Sequence, residues 1–247
     1  MPPVGGLARR ATAINSLREQ KPSVLVVDTG GSLTGSSSGA GAPSDLLHAR
    51  VFAALRYDAV NAGPGESFAS ADALREVAGS KLPLVSANGR ADSPAAVKGL
   101  LKTYIVKDVG GIRVALVGVT SNGYADGQEV STDRQPLDAL RAILPEARKQ
   151  SDVVVVLADL NQSDVDALAD AGLGVQVILG GRSQDSRSAT LVGSTVVASA
   201  GSSGRNVEVL TLQIGSGGQV LTYASAEQAL GPSVSDDQAV LQLRREN

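Results

Sequence analysis

Four near-continuous apolar runs set the limits on how this chain can fold: VLVV (24–27), VALVGV (114–119), VVVVLA (153–158) and VQVIL (175–179). Each is far too short to cross a bilayer. None alternates cleanly between apolar and polar residues, as a strand with one wet face would. They read instead as strands covered on both faces, the habit of sheets flanked by helices. Segments with helical spacing fall between them, so the pattern asks for α/β layers with a mixed sheet, helices outside and sheets inside.

The first helix signal is GGLARRATAINSLREQ, with Leu7, Ile14 and Leu17 at helical spacing and Pro22 closing it. SVLVVD follows as a strand. A Gly/Ser-rich loop, TGGSLTGSSSGAGAPSD, leads to the helix DLLHARVFAAL, capped by Ser44, and to the strand DAVNAG. The helix ADALREVAG and the strand LPLVSAN come next. KTYIVKDVGGIRVALVGVT predicts a hairpin turning at Gly110–Gly111. QPLDALRAILPEARKQS predicts a helix kinked or interrupted at Pro145. The strand DVVVVLADL, the helix SDVDALADAG and the strand VQVILGG complete the alternation. ATLVGSTVVASAG, RNVEVLTLQIG and QVLTYASA then read as successive antiparallel strands. The tail SVSDDQAVLQLRREN reads as a terminal helix capped by Ser235 or Asp236. These segments divide into one sandwich domain over 5–228 and a helical tail over 229–247.

Composition excludes several functions. A net charge of −3 with no long block of one sign leaves no nucleic-acid footprint. There is no Trp, and two Phe and four Tyr are too few for a base-stacking platform. Without cysteine there can be no disulfide, iron–sulfur cluster or thiolate zinc site. The single histidine, His48, rules out any multi-histidine metal site and reads as a helix-surface or half-buried residue. GSSSG (35–39) matches a nucleophile elbow on paper, with Ser37 as nucleophile. It lacks the strand-to-helix setting, however, and is flanked by more Gly and Ser. No phosphate-binding loop is present. Carboxylates after strand ends, namely Asp28, Glu66, Asp159 and Asp185, are the remaining means of holding a hard cation.

The wording of these segments resembles the N-terminal domain of the secreted 5'-nucleotidases, among the calcineurin-like metallophosphoesterases. VLVVDTGGSLTGS is similar to the family's strand and G-D loop, and YDAVNAGPGESF to the segment ending in G-N-H-E-F. VVVVLADLN is similar to the segment bearing L-S-H, and VQVILGGRSQ to the one bearing G-H-x-H. The resemblance implies a four-layer αββα sandwich with mixed sheets. It also implies that the first strand, with its D-x-H motif, is missing, leaving either a trimmed N-terminus or a slot that a partner's strand fills. The metal ligands are replaced throughout. Gly31 stands at the bridging Asp, Pro64 and Gly65 at the Asn and His of G-N-H-E with only Glu66 kept, Asp159 at the His of L-S-H, and Arg182 and Gln184 at the histidines of G-H-x-H.

These replacements imply a catalytically degenerate domain without a cofactor. Its expected role is as a binding or structural subunit of a larger extracytoplasmic assembly, periplasmic or at the cell surface. The alternative is a residual hydrolase with a carboxylate-only site, in which Glu66 and Asp159 hold a divalent cation weakly and Arg182 grips an anion. A composition rich in Ala, Gly, Val and Arg hints at a GC-rich bacterial genome.

Overall fold

A computed structural model describes residues 4–33, 44–63, 71–93, 99–125, 128–130, 132–182 and 185–246. The first sheet is parallel. It contains β1 (Val27–Asp28), β2 (Ala59–Asn61), β3 (Leu84–Val85) and β4 (Leu101–Lys102), side by side in that order. The next strands in the chain are β5 (Tyr104–Val109), β6 (Ile112–Thr120) and a small ribbon of β7 (Gly123–Ala125) and β8 (Gln128–Val130). After them come β9 (Val153–Asp159), β10 (Val177–Gly180), β11 (Arg187–Val192) and β12 (Thr195–Ser199). The second sheet is mixed, ordered β11-β12-β10-β9-β6-β5. Its centre is parallel, and antiparallel hairpins close both edges. A separate antiparallel pair is made by β13 (Asn206–Ile214) and β14 (Val220–Ala229).

Three apolar layers hold this together. Helices α1 (Leu7–Gln20), α2 (Ser44–Ala54), α3 (Ala71–Ser80) and the C-terminal α6 (Gln238–Arg245) cover the outer face of the first sheet, where Ile14, Phe52, Leu74 and Val240 pack on Val60 and Leu84. Helices α4 (Pro136–Gln150) and α5 (Gln162–Asp170) cover the outer face of the second, with Leu140, Leu144 and Val165 on Val117, Val156 and Ile178. Between the sheets lie Ala59 and Val85 on one side and Leu116, Val155, Leu157 and Val177 on the other, with Leu210 and Leu212 of β13 joining them. The order is therefore αββα, as expected from the unbroken apolar runs. In β9 alternate residues serve both layers: Val154, Val156 and Ala158 face the helices, while Val153, Val155 and Leu157 face the opposite sheet.

The sheets are stitched by buried amides as well as by apolar contact. The Asn61 side chain donates to the backbone oxygens of Thr29 (2.9 Å) and Val119 (2.8 Å). Asn88 donates to Thr120 O and accepts from Thr120 N–H at 3.0 Å. The backbone of Ala87 donates to Gly118 O at 2.7 Å. Gly118 lets the sheets approach this closely, because a Cβ there would fall 2.2 Å from Asn61 Oδ1 and 2.5 Å from Val85 O.

The structure departs from the sequence reading in four places. The strand expected over 23–28 is regular only at Val27–Asp28, where it pairs with β2. Pro145 does not interrupt α4, which runs unbroken to Gln150. Pro145 lies on its exposed face, where water can take the carbonyl that loses its partner. The final strands are not one antiparallel succession, because β12 inserts parallel to β10 and the β13–β14 pair stands apart. The cap of α6 is Asp237, which accepts from Val240 N–H at 3.0 Å. Ser235 instead offers its carbonyl to Thr12 of α1 at 2.8 Å. The hairpin turn falls at Gly110 and Gly111 as expected, with φ of 61° and 84°.

Gly118→Ala should therefore be severe. Neither Asn61, fixed by two hydrogen bonds, nor the Val85 backbone can yield, so a loss of about 3 kcal/mol or more is expected from overpacking. Urea unfolding of the variant checks this, with Gly231→Ala, whose Cβ meets nothing within 4 Å and whose φ is not positive, as the comparison for glycine loss at an open site.

Candidate functional site

The carboxyl ends of β1, β6, β9 and β10 come together at one end of the sandwich, the place where open α/β sheets put their ligands. Asp159 closes β9, its register partner on β6 being Thr120. All residues of β9 are buried, and the Asp159 side chain is only 6% exposed. The chain leaves β10 through Gly180–Gly181, passing so close to β1 that a Cβ on Gly181 would lie 2.7 Å from Thr29 Oγ1. A Cβ on Gly30 would lie 2.9 Å from the Asp159 Cβ. The first glycine turn thus presses on Asp159, and the second on Thr29 beside it.

Arg182 completes the cluster. Its Nε donates to Asp159 Oδ1 at 2.9 Å and its Nη2 to Asp159 Oδ2 at 3.1 Å, a bidentate pair. Nη1 donates to Ser121 Oγ at 2.8 Å and to the Asn122 carbonyl at 3.2 Å, and Nη2 reaches Thr120 Oγ1 at 3.5 Å. Thr120 Oγ1 in turn donates to Asp159 Oδ2 at 3.1 Å. Both oxygens of Asp159 are engaged, and every face of the guanidinium has a protein acceptor. As an anion grip, Arg182 would have to release Asp159, so the arrangement does not favour that reading.

A second buried carboxylate lies across the cleft. Asp28 accepts from Gly30 N–H at 3.0 Å and Ser32 Oγ at 2.9 Å, with Arg10 of α1 at 3.9 Å. Burial raises its carboxyl above the ordinary value, against the opposing pull of Arg10 and these hydrogen bonds. Tyr57, stacked on Phe52 at 4.2 Å between centroids, is pushed up to about 12, above all by burial. His48 lies edge-on to Phe52 at 6.2 Å and is half-buried, as its helical setting suggested.

Of the positions marked from sequence, Gly31, Asp159 and Arg182 converge. Gly31 has a φ of 77°, and a Cβ on it would meet nothing within 4 Å. Asp185 is exposed and takes no part. Ser37, Pro64, Gly65, Glu66, Ser183 and Gln184 lie outside the described residues. Sequence reasoning missed Thr120, Ser121 and Asn122, which anchor Arg182, and Arg10, the counter-ion of Asp28. The Thr-Ser-Asn that ends VALVGVTSN was the available signal: three hydrogen-bonding residues closing an apolar strand.

The described residues do not by themselves make a divalent-metal site here. Among the described residues no three His, Cys, Asp or Glu gather, and the one buried carboxylate at the end of β9 already has a fixed cation on both its oxygens.

Removing Arg182 would strand a buried charge. Arg182→Ala should cost about 2–3 kcal/mol, at or below the lower end for broken buried pairs because the arginine is about one-third exposed. Adding Asp159→Asn should recover much of that loss in urea unfolding, whereas simple additivity would deny the coupling. Asp28 sets a pH dependence of its own. With the folded carboxyl above the unfolded value, the folded state holds the proton more tightly, so this stability is complete at low pH and is lost as pH rises through the folded value. The difference in unfolding free energy between the wild type and Asp28→Asn, followed from about pH 4 to about 7, should slope accordingly.

Comparison with known proteins agrees with this geometry. The human 5'-nucleotidase is 31% identical over 200 residues, covering 73% of this chain and 33% of that protein. The chain spans about a third of the length of the curated relatives it matches. Among solved structures, a 5'-nucleotidase precursor from Thermus thermophilus superposes with a TM-score of 0.79 at 24% identity, over 99% of this chain and 53% of its own. A calcineurin-like phosphoesterase from Bacillus subtilis superposes at 0.75 and 19% identity, over 98% of this chain and 88% of its own. No family model matches. In sequence the chain is similar to one third of a 5'-nucleotidase, and its fold is that of the solved 5'-nucleotidase and calcineurin-like phosphoesterase structures.

Proposed function

We propose that this domain is a catalytically silent member of the phosphoesterase fold, serving as a binding or structural subunit of an extracytoplasmic assembly. One observation carries the reading: the guanidinium of Arg182 sits bidentate on Asp159 at the carboxyl ends of the central strands. A two-metal phosphoesterase needs ions about 4 Å apart, held by a bridging carboxylate and several imidazoles, to polarise phosphate and generate hydroxide. Here a fixed, always-protonated cation neutralises the carboxylate instead. It cannot bind water as a Lewis acid, nor exchange for one that does. Gly31, where the resemblance expects a bridging carboxylate, contributes backbone alone. The extracytoplasmic placement and the bacterial origin rest on resemblance and composition. Among the described residues no helix is long and apolar enough to cross a membrane.

The test is metal content. Protein purified from medium containing manganese and zinc should carry far less than one ion per chain by elemental mass spectrometry, and should not hydrolyse adenosine monophosphate or a nitrophenyl phosphodiester when either ion is added. Stoichiometric metal, with turnover that disappears in Asp159→Asn, would establish the carboxylate-only hydrolase instead.

A further inference from the structure

The hairpin of β13 and β14 carries two glutamates in register. Glu208 stands opposite Glu227, and the bond from Leu230 N–H to Arg205 O at 2.8 Å sets the phase of the ladder. Counted from that bonded pair, Glu208 and Glu227 fall at a non-hydrogen-bonded position. Facing side chains come closest there, with Cβ atoms roughly 4.5–5.5 Å apart. Two carboxylates so placed repel each other, which weakens the pairing of the strands that carry them.

Glu208 is the half-buried member and Glu227 the exposed one. Glu208 shares a face of β13 with Leu210 and Leu212, which pack into the layer between the sheets. Its Oε1 is enclosed, and among the described residues that oxygen has no hydrogen-bond partner. Ser225, the register partner of Leu210, lies on the same face and bonds the Glu208 carboxyl. Ser225 Oγ also accepts Ala189 N–H of β11 at 2.8 Å, tying the hairpin to the edge of the second sheet. The base of the hairpin is held separately, since Leu230 O accepts Gly5 N–H at 2.8 Å and Arg9 Nη1 at 3.5 Å.

Among the described residues no cation pairs with either glutamate. Helix α1 and strands β12 and β14 pack on β13, and β11 packs on β14. Of the charges these elements carry, Arg9 is paired with Asp236, Arg10 with Asp28, Arg18 with Asp58, and Arg187 with Asp166. Glu19 is exposed at the far end of α1, and β12 has no charged side chain. Arg205 is exposed and lies three residues from Glu208, hence on the opposite face. Glu227 is therefore the charge that Glu208 meets. Burial, reinforced by Glu227, holds the Glu208 carboxyl above its ordinary value against the opposing bond from Ser225.

A proton resolves both difficulties. Protonated, Glu208 loses the charge that repels Glu227, and an oxygen without a donor can become a donor, with the Glu227 carboxylate as its acceptor. Hydrogen bonds of this charge-assisted kind are short and strong. We propose that Glu208 and Glu227 share one proton, and that this proton clasps the β13–β14 hairpin to the edge of the second sheet as a pH-sensitive latch. The single chemical step is loss of that proton to solvent. With the folded carboxyl above its unfolded value, the latch is fully closed at low pH and opens as pH rises through the folded value. Two charges then face each other in register, and the hairpin loosens from β11 at Ser225 while its base stays tied at Leu230. The latch uses neither Arg182 nor Asp159, so it does not depend on the reading of that pair.

The test is hydrogen exchange at the Ala189 amide, followed by NMR and corrected for its intrinsic pH dependence. Opening at Ala189 should increase by about fivefold or more between about pH 4 and about pH 7. The Glu208 carboxyl carbon should titrate above the ordinary carboxylate range over the same interval. Glu208→Gln keeps the neutral shape of the acid, so it should hold Ala189 protected throughout. Its urea midpoint at pH 7 should equal or exceed that of the wild type, which shows that the variant folds. Glu227→Gln should move the change to lower pH, because the repelling charge is gone. Four results would overturn the proposal: Ala189 opening that ignores pH in the wild type, the same pH response in Glu208→Gln, a Glu208 carboxyl that titrates in the ordinary range, or protection at pH 7 that disappears when EDTA is added. In the last case a bound cation, not a proton, would be holding the two carboxylates together.

Discussion

A carboxylate at the end of a strand buried on both faces must be neutralised by something, and the identity of that cation decides what this fold can do. Asp159 cannot turn to water, because Gly30 presses on it from one side and the β6 terminus from the other. A labile metal ion there would be a reagent. A guanidinium is a strut: two hydrogen bonds to Asp159 and further donors to Ser121 and Asn122 fix the turn after β10 to the end of β6. At this end of the sandwich the pair is a cross-link between β9, the end of β6 and the turn after β10.

Three strand ends meet there only because the two sheets meet closely. Asn61 and Asn88 hydrogen-bond across the interface, and Gly118 has no side chain to hold the sheets apart. Such buried amides are costly unless satisfied. The Asn61 amide nitrogen is doubly satisfied while its oxygen has no hydrogen-bond partner. That oxygen lies against the backbone of Gly118, where a side chain would collide with it. The register of one sheet over the other is thus a polar specification laid on an apolar interface.

Much of this was legible in the sequence. Runs such as VVVVLA declared strands buried on both faces, and from these followed the layers. Gly110–Gly111 declared its hairpin. The resemblance drew attention to Gly31, Asp159 and Arg182, but not to the pairing of the last two. Nothing in GGRSQD says that Arg182 turns inward onto Asp159 rather than outward to an anion, since that depends on acceptors contributed by the end of β6, some sixty residues away in the chain. Pro145 misled because its cost depends on whether the freed carbonyl meets water, a fact of burial and not of sequence. The cap of α6 slipped by one residue within Ser-Asp-Asp, where each residue could serve, and packing on α1 chose Asp237.

The Arg182–Asp159 pair and the one-sided edge of β1 make different demands on stability. The Arg182–Asp159 pair is self-contained: the chain supplies both charges and most of the burial. The edge of β1 is not: among the described residues only β2 pairs with it, and the backbone groups of Leu25 and Val27 on its other side have no strand partner. β1 is regular over just two residues although its sequence is as apolar as that of β9, which pairs on both sides. Pairing on one side does not by itself shorten a strand, since β13 and β14 run nine and ten residues with only each other as partner.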